Sequence, residues 1–166
     1  MGNQQRSLDQ RLCWLGGVVD GEGMITLIKR VGKRQKGYIP KISVVHTDPT
    51  LISEVISVCR DAGLPFYVQK KTGKGTWKTR YEVLSNGILR CRKVLPVLTE
   101  YLVSKQKKAL LLGEFCESRL SKPKGDEMSD REHQLARLIR NGHTRGPGSN
   151  TPRDYTPTAA VQAAMI

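Results

Sequence analysis

Apolar positions along the chain change period several times, and each change marks an element. Leu8, Leu12, Leu15 and Val19 recur at helical spacing, which predicts a helix over 7–20 with Ser7 as N-cap and Gly21 and Gly23 as stops. From Met24 the period falls to two. Ile25 and Leu27 face one way and Thr26, Ile28 and Arg30 the other, as in a strand with one buried face. The charged run 31–37 predicts a turn, and 38–46 a second strand with Ile42 and Val44 inward and Lys41, Ser43 and Val45 outward. Thr47, Asp48 and Pro49 open a helix with the stripe Leu51, Ile52, Val55, Ile56 and Cys59, closed by Gly63. The order then repeats: strand 65–71, turn 72–76, strand 77–85 with Tyr81 and Val83 inward, and a shorter helix ending near Pro96. A helix over 103–119 carries Ala109, Leu112, Phe115 and Cys116 on one side. A last one spans 129–141, where Ser129 and Glu132 make a capping box.

Two hairpins interleaved with helices predict an α+β domain, a four-stranded antiparallel sheet with helices on one face. The expected domain is 1–142, and 143–166, rich in Gly, Pro, Thr and Ala, reads as a tail without a core.

Charge sharpens the picture. Lys+Arg number 28 against 15 Asp+Glu, so the chain carries +13 and points to a polyanion, most simply a nucleic acid. Six basic residues and no acid lie between Lys29 and Lys41 (Lys29, Arg30, Lys33, Arg34, Lys36, Lys41). Five more, again without an acid, lie between Gln69 and Arg80 (Lys70, Lys71, Lys74, Lys78, Arg80). Both runs fall on a hairpin turn and its strands. The outward set of Thr26, Ile28, Arg30, Lys41, Ser43, Gln69, Lys71, Arg80 and Glu82 mixes donors, acceptors and apolar groups, which suits base readout from a sheet. Lys33, Arg34, Lys36, Tyr38, Lys74 and Lys78 extend this surface at the turns. Sheet readers of RNA stack bases on mid-sheet aromatics, whereas Tyr38, Tyr67 and Trp77 fall at strand ends or in loops, so duplex DNA is the expected partner.

Other classes recede. No apolar run reaches the roughly 18 residues of a membrane span, MGNQQRS has no apolar signal core, and Arg6 breaks the myristoylation pattern. Cys13, Cys59, Cys91 and Cys116 are spaced too widely for a zinc knuckle and read as reduced, buried apolar residues. The expectation is an intracellular protein, cytoplasmic in a prokaryote or inside an organelle, with neither membrane nor small-molecule cofactor.

One segment defies helix design. In Trp14-Leu15-Gly16-Gly17-Val18-Val19-Asp20-Gly21-Glu22-Gly23, adjacent glycines sit inside the helix, each costing roughly 1 kcal/mol against alanine. Asp20 and Glu22 crowd the helix C-terminus, where the macrodipole disfavours negative charge. The glycines suit a close backbone approach, and the acids suit a cation such as magnesium.

Leu15 to Gly23 resembles, without a gap, the signature of the LAGLIDADG homing endonucleases. The order of elements over about 7–120 is similar to that family's αββαββα core, here with extra C-terminal helices. The resemblance implies a saddle-shaped sheet astride DNA and motif helices from two copies packed together. It implies Mg2+ or another divalent cation such as Mn2+ at the scissile phosphates. Glu22 would then be the principal catalytic metal ligand, the Gly21 carbonyl an assistant, and Asp20 mainly structural with a weaker catalytic and metal-binding claim. Trp14, Leu15, Gly16, Gly17 and Val18 would form the dimer seam. Gly16 stands where the family usually has alanine, and Glu22 where aspartate is commoner. Lys105 resembles the family's lysine near the cleavage centre, and by itself reads equally as a solvated lysine at a helix start. His46 stands where many members carry a glutamine that contacts active-site water, and reads equally as a structural histidine at a strand end.

With one motif per chain, cutting two strands requires a homodimer on a long, nearly palindromic duplex. The reaction implied is metal-dependent phosphodiester hydrolysis by a site-specific, intron-encoded endonuclease. The alternatives are an RNA-binding intron maturase and a non-catalytic sequence-specific DNA-binding protein.

Overall fold

The structure, a computed structural model, describes residues 6–30, 37–73, 75–76, 78–123 and 125–141. The expected turn residues Lys33, Arg34, Lys36 and Lys74, the loop aromatic Trp77, and the tail 143–166 lie outside them. Among the described residues no helix is long and apolar enough to cross a membrane.

The order is α1 (Leu8–Glu22), β1 (Gly23–Lys29), β2 (Tyr38–His46), α2 (Pro49–Asp61), β3 (Tyr67–Lys71), β4 (Arg80–Asn86), α3 (Ile88–Thr99), α4 (Gln106–Leu120) and α5 (Asp130–Asn141). Local caps explain most starts. Ser7 and Gln10 form a reciprocal capping box on α1, and the Asp48 side chain accepts the Thr50 N–H ahead of Pro49. The α5 box also stands, with the Glu132 carboxylate accepting the Ser129 N–H at 2.8 Å.

Strand order is β1-β2-β4-β3, all antiparallel, so the two hairpins join through their second strands. Ile25, Leu27, Ile42, Val44 and Val83 face Leu12, Leu15 and Val19 of α1 and Ile52, Val55 and Val58 of α2 in one core. Helix α5 adds Leu135, Ala136 and Ile139 to it.

Three expectations are corrected. Helix α3 runs through Pro96 to Thr99, because Leu95 and Leu98 are buried and the ring leaves only the Arg92 carbonyl without a helical donor. Helix α4 begins at Gln106 rather than 103, because the preceding N–H groups bond elsewhere, as described below. Cys59, Cys91 and Cys116 are buried as expected, but Cys13 is exposed on the outer side of α1.

Candidate active site and nucleic-acid interface

Two helix ends meet where the motif finishes, and each lacks what the other supplies. Helix α1 has no base in its last turn and α4 no acid in its first, so both termini are electrostatically uncompensated locally. The remedy is reciprocal. Both oxygens of Asp20 accept bonds from the start of α4: Val103 N–H at 2.7 Å, Ser104 N–H at 3.1 Å, Ser104 Oγ at 3.0 Å and Lys105 N–H at 2.9 Å. Lys105 Nζ in turn donates to the carbonyls of Val19 (2.8 Å), Asp20 (2.7 Å) and Gly23 (2.7 Å) at the end of α1.

Burial pushes the Asp20 carboxyl up, but those four bonds outweigh it and hold it below the ordinary carboxylate range. Burial lowers Lys105, opposed by the charges of Asp20 and Glu22. Both Asp20 oxygens are thus engaged by the start of α4, which gives Asp20 a structural part at the end of α1. Lys105 is neither solvated nor free: all three ammonium donors are spent on backbone.

Upstream, the same α3–α4 connection lies along α1. Tyr101 Oη donates to Asp9 at 2.8 Å, and a Cβ on Gly16 would stand 2.7 Å from Tyr101 Cβ and closer still to its carbonyl oxygen. Gly16 is thus required inside its own chain, and Leu15 is only 2% exposed in the core. Both face the interior of their own chain. Around Gly17 and Gly21 a Cβ would meet nothing within 4 Å, and with exposed Cys13 they line the outer face of α1, flanked by half-buried Trp14 and Val18.

Glu22 closes α1 exposed, and its carboxylate makes no hydrogen bond or ion pair with another described residue. His46 ends β2 at the sheet end where α1 stops, two residues beyond the Gly23–Val44 pair. Its Nδ1 accepts the Asp48 N–H at 3.0 Å, which leaves Nε2 as the donor of the neutral ring. Among the described residues no three His, Cys, Asp or Glu side chains cluster as a metal cage.

On the helix-free face of the sheet, Ile28, Arg30, Gln69, Lys71 and Arg80 are exposed, as is Lys78 just before β4. Thr26, Ser43 and Glu82 are buried there, against expectation. Glu82 Oε1 pairs with Lys41 Nζ at 2.5 Å and Oε2 with Lys71 Nζ at 3.2 Å. Burial raises the Glu82 carboxyl, yet bonds from Lys41 and Lys71 win and hold it low. Tyr38 pairs with Lys29 and shares the core side with Ile25 and Leu27. Arg140 stacks 5.4 Å from its ring centre, so Tyr38 packs against α5 and leaves the outward surface.

Topology decides the comparison. No protein-family model and no curated protein sequence matches this chain. Solved structures do. The archaeal intron-encoded homing endonuclease I-Vdi141I complexed with DNA superposes with a TM-score of 0.66 at 13% identity, covering 96% of this chain and 94% of that one. The chain has the LAGLIDADG homing endonuclease fold. I-CeuI, a group I intron-encoded homing endonuclease complexed with DNA, gives 0.63 at 15% identity, over 98% of this chain and 78% of that one. I-CvuI, crystallised with its target and calcium, gives 0.61 at 16% identity, over 95% and 94%. The segment that resembles the family signature lies in α1, with Glu22 at its end.

Residues that sequence reasoning missed are Tyr101, Val103 and Ser104. The signal for them was present: a helix opening with Lys105-Gln106-Lys107-Lys108 and no acid needs an acceptor from elsewhere.

Proposed function

We propose that this protein is a homing endonuclease that works as a homodimer on a long, nearly palindromic duplex. It hydrolyses both strands in a reaction dependent on magnesium or another divalent cation, and its gene is carried in an intron. The observation that carries the reading is Glu22, an exposed carboxylate without a partner among the described residues, at the tip of the motif helix and beside the Lys105 ammonium. Its neighbour Asp20 is wholly committed to capping α4.

The residues present fit a divalent cation shared between protomers: the Glu22 carboxylate and Gly21 carbonyl of each chain would hold it, with phosphate and solvent supplying the rest. Such an ion supplies charge stabilisation at the phosphate and lowers the pKa of water. The chain's own groups do the positioning. Lys105 and Asp20 fix the end of α1 so that Glu22 is carried at a set place. His46, with Nδ1 accepting from the Asp48 N–H, presents Nε2–H as a donor that orients a water. The open surface at Gly17 and Gly21 supports a close helix–helix seam, and two strands to cut require two copies of Glu22. Exposed Lys78 and Arg80, just before and at the start of β4, supply phosphate contacts, and pairing doubles the +13 charge.

The test incubates the protein with a randomised duplex library and magnesium and sequences the cut ends. Cleavage by wild type and none by Glu22→Gln, with duplex binding kept, is the expected result. Equal cutting by both would overturn the assignment of Glu22, and a protein–DNA complex with the mass of one chain would overturn the dimer.

A further inference from the structure

The middle of the helix-free face is built in an unexpected way. A carboxylate only 3% exposed lies inside the surface that carries the exposed cations, clasped from strands on both sides. The register shows how far Lys41 must stretch. Lys41 pairs with Asn86, four residues along β4 from Glu82. At about 3.3 Å of rise per residue that is roughly 13 Å along the sheet. A 2.5 Å ion pair across that span needs both side chains extended and flat on the sheet. The row between them holds Ser43 and Leu84, which are 2% and 3% exposed, as expected for residues lying beneath a lysine stem. Lys41 keeps only 12% of its side chain exposed, while Lys71 keeps 49%.

A lysine lying flat and paired cannot also reach up to a phosphate. Resting on the reading of this face as the duplex-binding surface, we propose that Glu82 is a specificity-determining residue that withholds Lys41 and Lys71 from the DNA backbone. Its charge offsets one of the two cations, and its geometry keeps both heads on the floor of the sheet, where base edges rather than phosphates come within range. Removing the charge turns a sequence-reading floor into a general polyanion surface. Affinity for arbitrary duplex then rises while discrimination falls, the opposite of losing a contact.

The test is Glu82→Gln, which keeps the shape and removes the charge. Binding to a random-sequence duplex is measured over a salt series beside the wild type, together with circular dichroism to verify folding. Each phosphate newly neutralised steepens the slope of log affinity against log salt by about 0.9, equivalent to about 3.5-fold across a fourfold salt change. The expected result is a steeper slope and tighter random-duplex binding in Glu82→Gln. A companion pair keeps the test decisive if the Glu82→Gln change perturbs the sheet. Lys41→Met in the wild type leaves random-duplex affinity within about twofold, and the same change in the Glu82→Gln background removes the gain. Unchanged slope, weaker random binding by the folded variant, or equal loss from Lys41→Met in both backgrounds would overturn the proposal. No duplex affinity in the wild type at any salt would instead sink the functional reading on which it rests.

Discussion

Gly16 and Gly17 are adjacent in one helix and identical in chemistry, yet alanine has opposite consequences at the two positions. At Gly16 an added Cβ would stand 2.7 Å from Tyr101 Cβ and 2.8 Å from its carbonyl carbon, and backbone is what would have to move. Overpacking of this kind costs about 1–3 kcal/mol or more. Replacing a mid-helix glycine returns about 1 kcal/mol, so Gly16→Ala nets a loss of up to about 2 kcal/mol. At Gly17 the added methyl meets nothing within 4 Å, so only the helix gain of about 1 kcal/mol remains. The two variants should therefore differ by the overpacking cost, about 1–3 kcal/mol, or several degrees in Tm. The assay is urea unfolding at protein concentrations low enough that no dimer forms, because association would add its own stability. Sedimentation at higher concentration should then show weaker self-association for Gly17→Ala, since its methyl stands on the proposed seam. Equal stabilities for the two variants would refute the inward placement of Gly16. Self-association untouched by Gly17→Ala would refute the seam.

Other outcomes follow from the remaining geometry. Lys105→Met should cost about 2 kcal/mol or more by orphaning three carbonyls, and should be less than additive with Asp20→Asn, because each variant breaks one half of the same reciprocal cap. A double-mutant cycle in urea checks this, and strict additivity would contradict it. Burial pushes the Glu132 carboxyl up, but the Ser129 N–H, Lys122, Ser118 and Arg119 together hold it at about 2, against an ordinary 4.5. The folded state therefore favours the carboxylate, so its stabilisation is full above pH 4.5 and drains away as pH falls toward 2. Glu132→Gln should flatten urea midpoints across that window, and an unaltered pH profile would count against the assignment. Cys13 is the one exposed thiol of four, so a thiol reagent should label one site per folded chain. Labelling should slow as the protein dimerises, and a rate independent of concentration would place the seam elsewhere.

The sequence by itself determined the elements whose causes lie within a turn or a strand. Periodicity together with turn and cap signals located the nine described elements, and short-range caps at Ser7, Asp48 and Ser129 set three helix starts. It also exposed the misfit segment ending in Glu22, because paired glycines and C-terminal acids break local rules wherever the chain later goes. Tertiary structure decided which of two neighbouring glycines faces inward, why Asp20 is spent while Glu22 makes no hydrogen bond to another described residue, and that Lys41 lies down on Glu82. Those contacts join residues far apart in the chain: Asp9 and Tyr101 are 92 positions apart, and Asp20 and Lys105 are 85. Local preference acts over a few residues, whereas a carboxylate's availability depends on which donors the folded chain brings beside it. Tyr38 makes the same point, since its period-two position was compatible with either face until α5 and Arg140 packed against one of them.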